Sequence, residues 1–532
     1  MSTVQAILFV LIGAGVALVA AVVVALMVSA SIRKSTKRQF DHQLKAQKDL
    51  YDEQVRGLKW SLAEQQLQQQ EVYDKYLSDR VMTPVAQPQT TIAPTAPNDN
   101  GPSAETVALR DQLVNERQAQ GGNLQQANLA GLELAGAEMS NANLEKADLQ
   151  GIDLSRANLH GALLSNANLK RANLSEANLE EADLSHTNLN YANLNGANLT
   201  GADLRHADLS SCIIDDSTLL DSKWRIVWEI VNLGAAGRDL SRFDLSDSDL
   251  WGADMRATRL WESDLAGARL TRADLRRAKL HHARFDDKTQ IDPKWKLTWD
   301  IVNHGAAGRD LHEVDLSEAD LSRADMSRAS LTKADLSRAD LSGTDFSGAN
   351  LTGANLFRAS MIGMDAREAN LSGATLNGAD LSRADFSRAK MNWVDLRNTI
   401  LSETTQIDPK WRLVWEIVNQ GAINRDLSRA DLAGASLREV NLKGAQLRAA
   451  KLWLADLAGS DLHTANLRGA DMRESNLVGV NLSDANLVDA NLTGARYDDE
   501  TRWPSGFDPQ EAGALIRSVS ARASQPQQPQ PA

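Results

Sequence analysis

The chain has 532 residues, a formal net charge of −13 and 5% aromatic residues. That length implies several domains or one elongated array, the acidic balance argues against general binding to nucleic acid, and the shortage of aromatics argues against a wide globular core. The single cysteine, Cys212, excludes an intramolecular disulfide and is compatible with a reducing compartment.

Residues 1–32 are nearly continuous Ala, Val, Leu, Ile and Gly, with no charged side chain before Arg33. They are long enough to span a bilayer core of about 30 Å. A cleaved signal peptide needs a basic segment ahead of its apolar stretch. Here the basic cluster comes after it, as Arg33, Lys34, Lys37 and Arg38. Positive residues stay on the cytoplasmic side, so the expectation is an uncleaved single-pass anchor, N-terminus out, with everything after it cytoplasmic. Residues 33–81 place Phe40, Leu44, Tyr51, Val55, Leu58, Leu62, Val72 and Tyr76 at helical spacings. This predicts a helical stalk. Glutamines interrupt the heptad, so self-association as a coiled coil and a lone helix both stand open. Residues 82–102 carry five prolines and read as a semi-extended linker. Ser103 looks like an N-cap for a capping helix within 103–122, running from Ala104 to Gln120 and ended by Gly121-Gly122.

From Leu124 a large apolar residue falls at every fifth position, with a small one, usually Ala, two places before it. A period of five fits neither a helix nor a long alternating strand. The inward positions are spaced two apart, as in a strand, then three apart, which turns a corner. The result is a coiled ribbon with Leu and Ala in its bore and polar residues on its walls. Cys212 takes one of the small inward positions and reads as a buried filler. The pattern, as in Ala167-Asn-Leu169, Ala172-Asn-Leu174 and Ala177-Asn-Leu179, resembles the A(D/N)LXX repeat of the pentapeptide-repeat family across most of residues 123–499. The resemblance implies an all-β solenoid, a right-handed quadrilateral β-helix with four pentapeptides per coil.

The repeats fall in four blocks, 123–222, 238–289, 309–405 and 425–501, separated by inserts at 223–237, 290–308 and 406–424. Each insert repeats one unit: Lys223-Trp-Arg-Ile-Val-Trp-Glu-Ile-Val-Asn232, then Lys294 to Asn303, then Lys410 to Asn419. A glycine follows each, and Arg-Asp-Leu restarts the coil at Arg238, Arg309 and Arg425. The spacing predicts short amphipathic helices, with proline ahead of two of them and glycine behind all three. Inserts of this kind resemble those of cyanobacterial pentapeptide-repeat proteins. Two readings stand for Trp224, Trp228, Trp295, Trp299, Trp411 and Trp415. They seal the breaks between blocks, or part of each pair is presented as a docking point. Residues 502–523 read as a C-terminal cap containing a short helix from Pro509 to Val519, and 524–532 as a disordered Gln/Pro tail.

No P-loop, dinucleotide fingerprint, zincin motif or Cys/His metal spacing occurs in the sequence, so no enzyme activity, catalytic residue, metal or cofactor is expected. With four repeats per coil, His186 and His206 would stack on adjacent coils about 4.8 Å apart, but no third ligand is evident. The first block is acidic, with five Lys/Arg against thirteen Asp/Glu over 123–219; the second is balanced, with nine against ten over 239–287. Two functions follow. One is a membrane-anchored scaffold for protein–protein interaction, its protein partner unidentified, with the stalk as a route to self-association and no direct contact with nucleic acid. The other, implied by resemblance to the quinolone-resistance members of the family, is a DNA-mimicking regulator of a topoisomerase or other DNA-binding protein.

Overall fold

A computed structural model describes residues 104–516. The anchor, stalk and linker expected over 1–102, Ser103, and the tail from 524 lie outside the described residues. No described helix is long and apolar enough to cross a membrane.

The chain winds into coils joined by parallel bridges between residues twenty apart, as in Asn123↔Asn143, Leu163↔Asp183 and Asp183↔Asp203. Twenty is four steps of five, so each coil has four sides. Within a step nearly every backbone N–H has a partner. Leu124 donates to Asn143 O in the next coil (2.7 Å), Gln126 to Glu145 O (2.8 Å), and Asp148 back to Ala127 O (2.9 Å), while Ala127 turns onto Leu124 O (3.0 Å). The N–H left over, one after the bore residue, is taken by the Asp or Asn side chain one before it, as in Ser155 N–H to Asp153 Oδ1 at 3.0 Å. This Asx turn is why the repeat demands Asp or Asn there. The residue two after the bore Leu sits in the left-handed region, as at Arg156 (φ 57) and Gly151 (φ 66). Such a conformation is uncommon outside glycine, so the backbone pairing on either side holds it at nearly every corner.

The bore is dry. Leu144, Leu164, Leu184 and Leu204 are fully buried, with Ala142, Ala162 and Ala182 between them, and Phe346 and Phe386 fill it farther along. Where Thr replaces Ala its hydroxyl turns onto a carbonyl, as Thr187 Oγ1 does to Leu164 O at 2.9 Å. Buried polar groups therefore keep partners.

Helix α1 (Ala104–Glu116) covers the first coil with Leu113 fully buried. It ends four residues before the expected Gln120. The chain from Arg117 already belongs to the ladder, Gln118 pairs with Glu138, and Gly121 N–H donates to Ser140 O at 2.9 Å. Gly121-Gly122 is thus a corner of the first coil and not a helix stop. Helices α2 (Ser222–Leu233), α3 (Pro293–His304) and α4 (Pro409–Gln420) occupy the inserts, each ending at a glycine of φ 74–77. The C-terminal helix expected from Pro509 is absent among the described residues. Two reverse turns lead through Gly513 (φ 84) into β2 (Leu515–Ile516), which pairs in parallel with β1 (Arg496–Tyr497). The last coil leaves carbonyls open, and Leu515 N–H takes that of Ala495 at 2.7 Å. An extended chain caps a ladder end with such bonds and a helix cannot.

Candidate interaction surfaces at the block junctions

Every block closes with the same turn. Thr218 Oγ1 donates to Leu194 O (3.0 Å) and accepts from Asp215 N–H (3.1 Å), while Asp215 Oδ1 takes the N–H of Gly196 (3.0 Å). Thr289 with Asp286, and Thr501 with Asp498, repeat it; Ser402 stands for Asp beside Thr405. The turn adds one residue to the coil, so Asn198 pairs with Leu219 instead of a residue twenty on. The Asp215 carboxyl is lowered to about 2, first by the Ser217 hydroxyl and then by its backbone donors.

The helix that follows supplies what the next coil would have supplied. Trp228 Nε1–H donates to Cys212 O (2.9 Å), Trp299 to Ala283 O (2.7 Å) and Trp415 to Thr399 O (3.1 Å). Asn232 Oδ1 accepts from Ser211 N–H (2.6 Å), and its Nδ2 donates to Leu209 O (3.0 Å) and Trp228 O (2.9 Å). Asn303 and Asn419 repeat these contacts. An indole and a carboxamide thus stand in for the backbone of a missing coil. The helix is clamped forward as well. Lys223, Lys294 and Lys410 reach Asp244, Asp315 and Asp431 of the next block, and Glu229, Asp300 and Glu416 pair with Arg238, Arg309 and Arg425 of the restart. One corner of the ladder stays continuous across each junction, through His206 N–H to Asp247 O, Arg277 to Glu318 O and Trp393 to Gly434 O, each 2.7 Å.

The six insert tryptophans therefore lie in the junctions. Trp224, Trp295 and Trp411 are buried, and Trp228, Trp299 and Trp415 are half-buried with their N–H groups used. Cys212 is buried beside them, its thiol pushed up to about 12 by desolvation. The His186 and His206 rings stack at 4.7 Å. No cluster of three metal-ligating side chains stands among the described residues. Burial, and next the neighbouring His186, lowers the pKa of His206, whose ring lies 3.6 Å from Asp247 across the first junction. Arg33, Lys34, Lys37 and Arg38 lie outside the described residues.

A second set of aromatics escaped the sequence reading. Trp251, Trp261, Trp393 and Trp453 are between 43% and 51% exposed, at corner positions where the repeat normally carries Ser, Gly or Arg. That misplacement was the available signal.

A four-sided parallel coil with a Leu/Ala bore defines a β-solenoid repeat protein. The profile of pentapeptide repeats matches within 122–216, 253–287, 310–402 and 426–496, more than half of the sequence, and the chain belongs to the pentapeptide-repeat family. Among solved structures it is similar to Rfr23 of the cyanobacterium Cyanothece 51142 (31% identity, 22% of this chain and 99% of that one, TM-score 0.12). It is also similar to HetL of Nostoc sp. strain PCC 7120, a protein involved in heterocyst differentiation regulation (20% identity, 73% and 94%, TM-score 0.09). A third is QnrB1, a plasmid-mediated fluoroquinolone resistance protein (20% identity, 36% and 91%, TM-score 0.16). At these TM-scores the membership rests on the repeat profile. No curated protein matches the chain significantly.

Proposed function

We propose that the chain is a non-enzymatic, membrane-anchored scaffold that displays protein-docking surface on a long rod. The observation that carries the reading is the ladder itself. It runs from Gln118 to Arg502 with one corner unbroken at each junction, and four tryptophans stand half-exposed at its corners. A solenoid of this kind offers extended walls for binding, and tryptophan is the residue most enriched at interface hot spots. The family is of the protein-interaction type. The apolar run at 1–32 and the basic cluster after it support a single-pass anchor with the rod in the cytoplasm. The partner is a protein. The acidic first block keeps the DNA-mimic reading as the competitor.

The test is in-cell crosslinking of the tagged full-length chain against a chain lacking residues 1–80. Recovery of a membrane-associated protein from the anchored form alone is the expected result. Recovery of a topoisomerase or DNA-binding protein from both forms overturns it in favour of DNA mimicry. Protease protection of the repeats in inverted membrane vesicles refutes the cytoplasmic assignment.

A further inference from the structure

We infer that the wall around Trp261 is a docking groove for an acidic peptide segment carrying an aromatic or large apolar residue. The inference rests on the scaffold reading and gives it a site and a chemistry. The wall is a column of bridged residues, Asp239↔Arg259↔Lys279 in the second block and Asp320↔Asp340 in the third. His281 Nε2 joins the two parts through Ser322 O at 2.8 Å. A groove of about 500 Å³ crosses this junction, lined by Arg259, Trp261, Lys279, His281, Arg323 and Asp340. Five coil levels at about 4.8 Å give it a length near 19 Å, enough for roughly six residues of extended peptide at about 3.3 Å each.

Its chemistry differs from that of the chain as a whole. In a protein of net charge −13 this wall gathers Arg259, Lys279, Arg323 and a histidine. Arg259 is shared with Asp239 at 3.4 Å, while Lys279 and Arg323 are exposed and without an ion pair among the described residues. Exposed cations without a carboxylate of their own are open to one from a partner. Trp261, 51% exposed, stacks against His282 at 6.4 Å and forms the side of the groove. A second hollow of about 400 Å³ adjoins the groove, sharing Asp239, Ser241 and Trp261 with it and adding Phe243, which is 38% exposed. Phe243 occupies the small inward position two before the bore Leu245, which Ala usually fills, and its ring stays partly exposed there. The Trp261 ridge, with the Phe243 ring near it and Arg259, Lys279 and Arg323 along the groove, fits a short segment with an apolar anchor and flanking carboxylates. A nucleic acid also offers anions and stacking, but it brings a phosphate about every 1.7 Å of duplex towards a wall that includes Asp239, Glu262 and Asp340, on an acidic rod.

The test selects displayed random dodecapeptides on the immobilised full-length chain and measures the winners as fluorescein-labelled peptides by anisotropy. The expected pool is rich in Asp and Glu around an aromatic or Leu. Trp261→Ala and the double reversal Lys279→Glu/Arg323→Glu should each weaken binding about tenfold or more. All three positions are exposed, and an unchanged thermal midpoint confirms that the variants fold. A pool without acidic enrichment, a failure to select binders, or acidic peptides held equally by both variants overturns the inference. So does a labelled oligothymidine that competes in the same groove more tightly than the peptides. A concentration-dependent dimer abolished by the same substitutions also overturns the separate-peptide occupant, in favour of the acidic first block of a second copy. A crosslinked membrane partner retained by Trp261→Ala sinks the groove and leaves the scaffold standing. Peptides lost with Trp261 uphold the groove even where crosslinking finds no membrane partner.

Discussion

Replacing Asn232 by Asp tests whether an insert side chain substitutes for backbone. The two side chains have the same shape and differ in one donor. Asn232 accepts from Ser211 N–H at 2.6 Å and donates to Leu209 O at 3.0 Å and Trp228 O at 2.9 Å. Aspartate keeps the first contact and turns the other two into a carboxylate oxygen facing two carbonyl oxygens. Two lost bonds at about 1 kcal/mol each give a loss near 2 kcal/mol. The stronger charge-assisted bond to Ser211 offsets part of the added repulsion. Asn232→Ala loses all three bonds but lets water reach the freed groups, so it should cost about 1–2 kcal/mol and stand no worse than Asp at pH 7. Hydrogen exchange of peptides covering 205–214 reads the effect locally. A loss of 2 kcal/mol corresponds to roughly thirtyfold faster opening. The carboxyl placed against two carbonyls has a folded pKa above its unfolded value of about 3.9. Protonation then restores one donor, so the variant recovers below the unfolded pKa and loses stability as pH rises through the folded one. Equal exchange in the two variants, with no recovery in acid, would refute the surrogate role.

Three further outcomes follow from the closing turns and junctions. The Asp215 carboxyl is held at about 2 against an ordinary 3.8, so its contribution is present above 3.8 and lost as pH falls through 2. Thermal midpoints between pH 5 and 2 should fall less steeply for Asp215→Asn than for the parent chain. Cys212, 3% exposed with its thiol pushed up to about 12, should stay unreactive to a thiol reagent at pH 8 until denaturant opens the junction. Trp228→Ala should make it reactive in the folded chain. Gly305 has φ 76, and a methyl group there would meet Asp325 O at 3.4 Å. Gly305→Ala should therefore destabilise by about 1 kcal/mol, read as a lower denaturation midpoint.

The two-then-three spacing of inward residues was enough to derive a corner-turning ribbon with an apolar bore, because burial in that bore is a property of each pentapeptide alone. The number of sides is a relation between residues twenty apart, and no single repeat carries it; it came from the family resemblance. The same division explains the junctions. Lys223, Trp228, Glu229, Asn232 and Arg238 were visible as a repeated string, but Trp228 and Asn232 answer to carbonyl and amide groups of 209–212 that only a broken ladder leaves open. The ends were misread for a related reason. Local propensity carried α1 to Gln120 and put a helix after Pro509, whereas an open coil edge offers backbone bonds that outweigh propensity. Trp261 stands out only when its repeat is set against the others, where a tryptophan follows the bore Leu260 at a position that is polar by habit.

Breaking a self-sustaining ladder three times needs a physical reason. Within a block the bond from a corner N–H reaches 19 residues on, as from His186 to Arg205, whereas at the junctions the corresponding bond reaches 41, as from His206 to Asp247. The residues between are spent on the closing turn and the helix, and they add chain without extending that corner. In a solenoid whose stability is a sum of coils and their interfaces, such a junction divides the rod into blocks that can open separately. It also resets which side chains share a wall, since a strict repeat stacks each column on itself. At the second junction the column Asp239, Arg259 and Lys279 is continued by Asp320 and Asp340, with Arg323 beside them. Cationic and aromatic groups of one block thereby meet a different column of the next. An uninterrupted repeat could place a groove of mixed chemistry only by departing from its own pattern in coil after coil; a junction places one with a single insert.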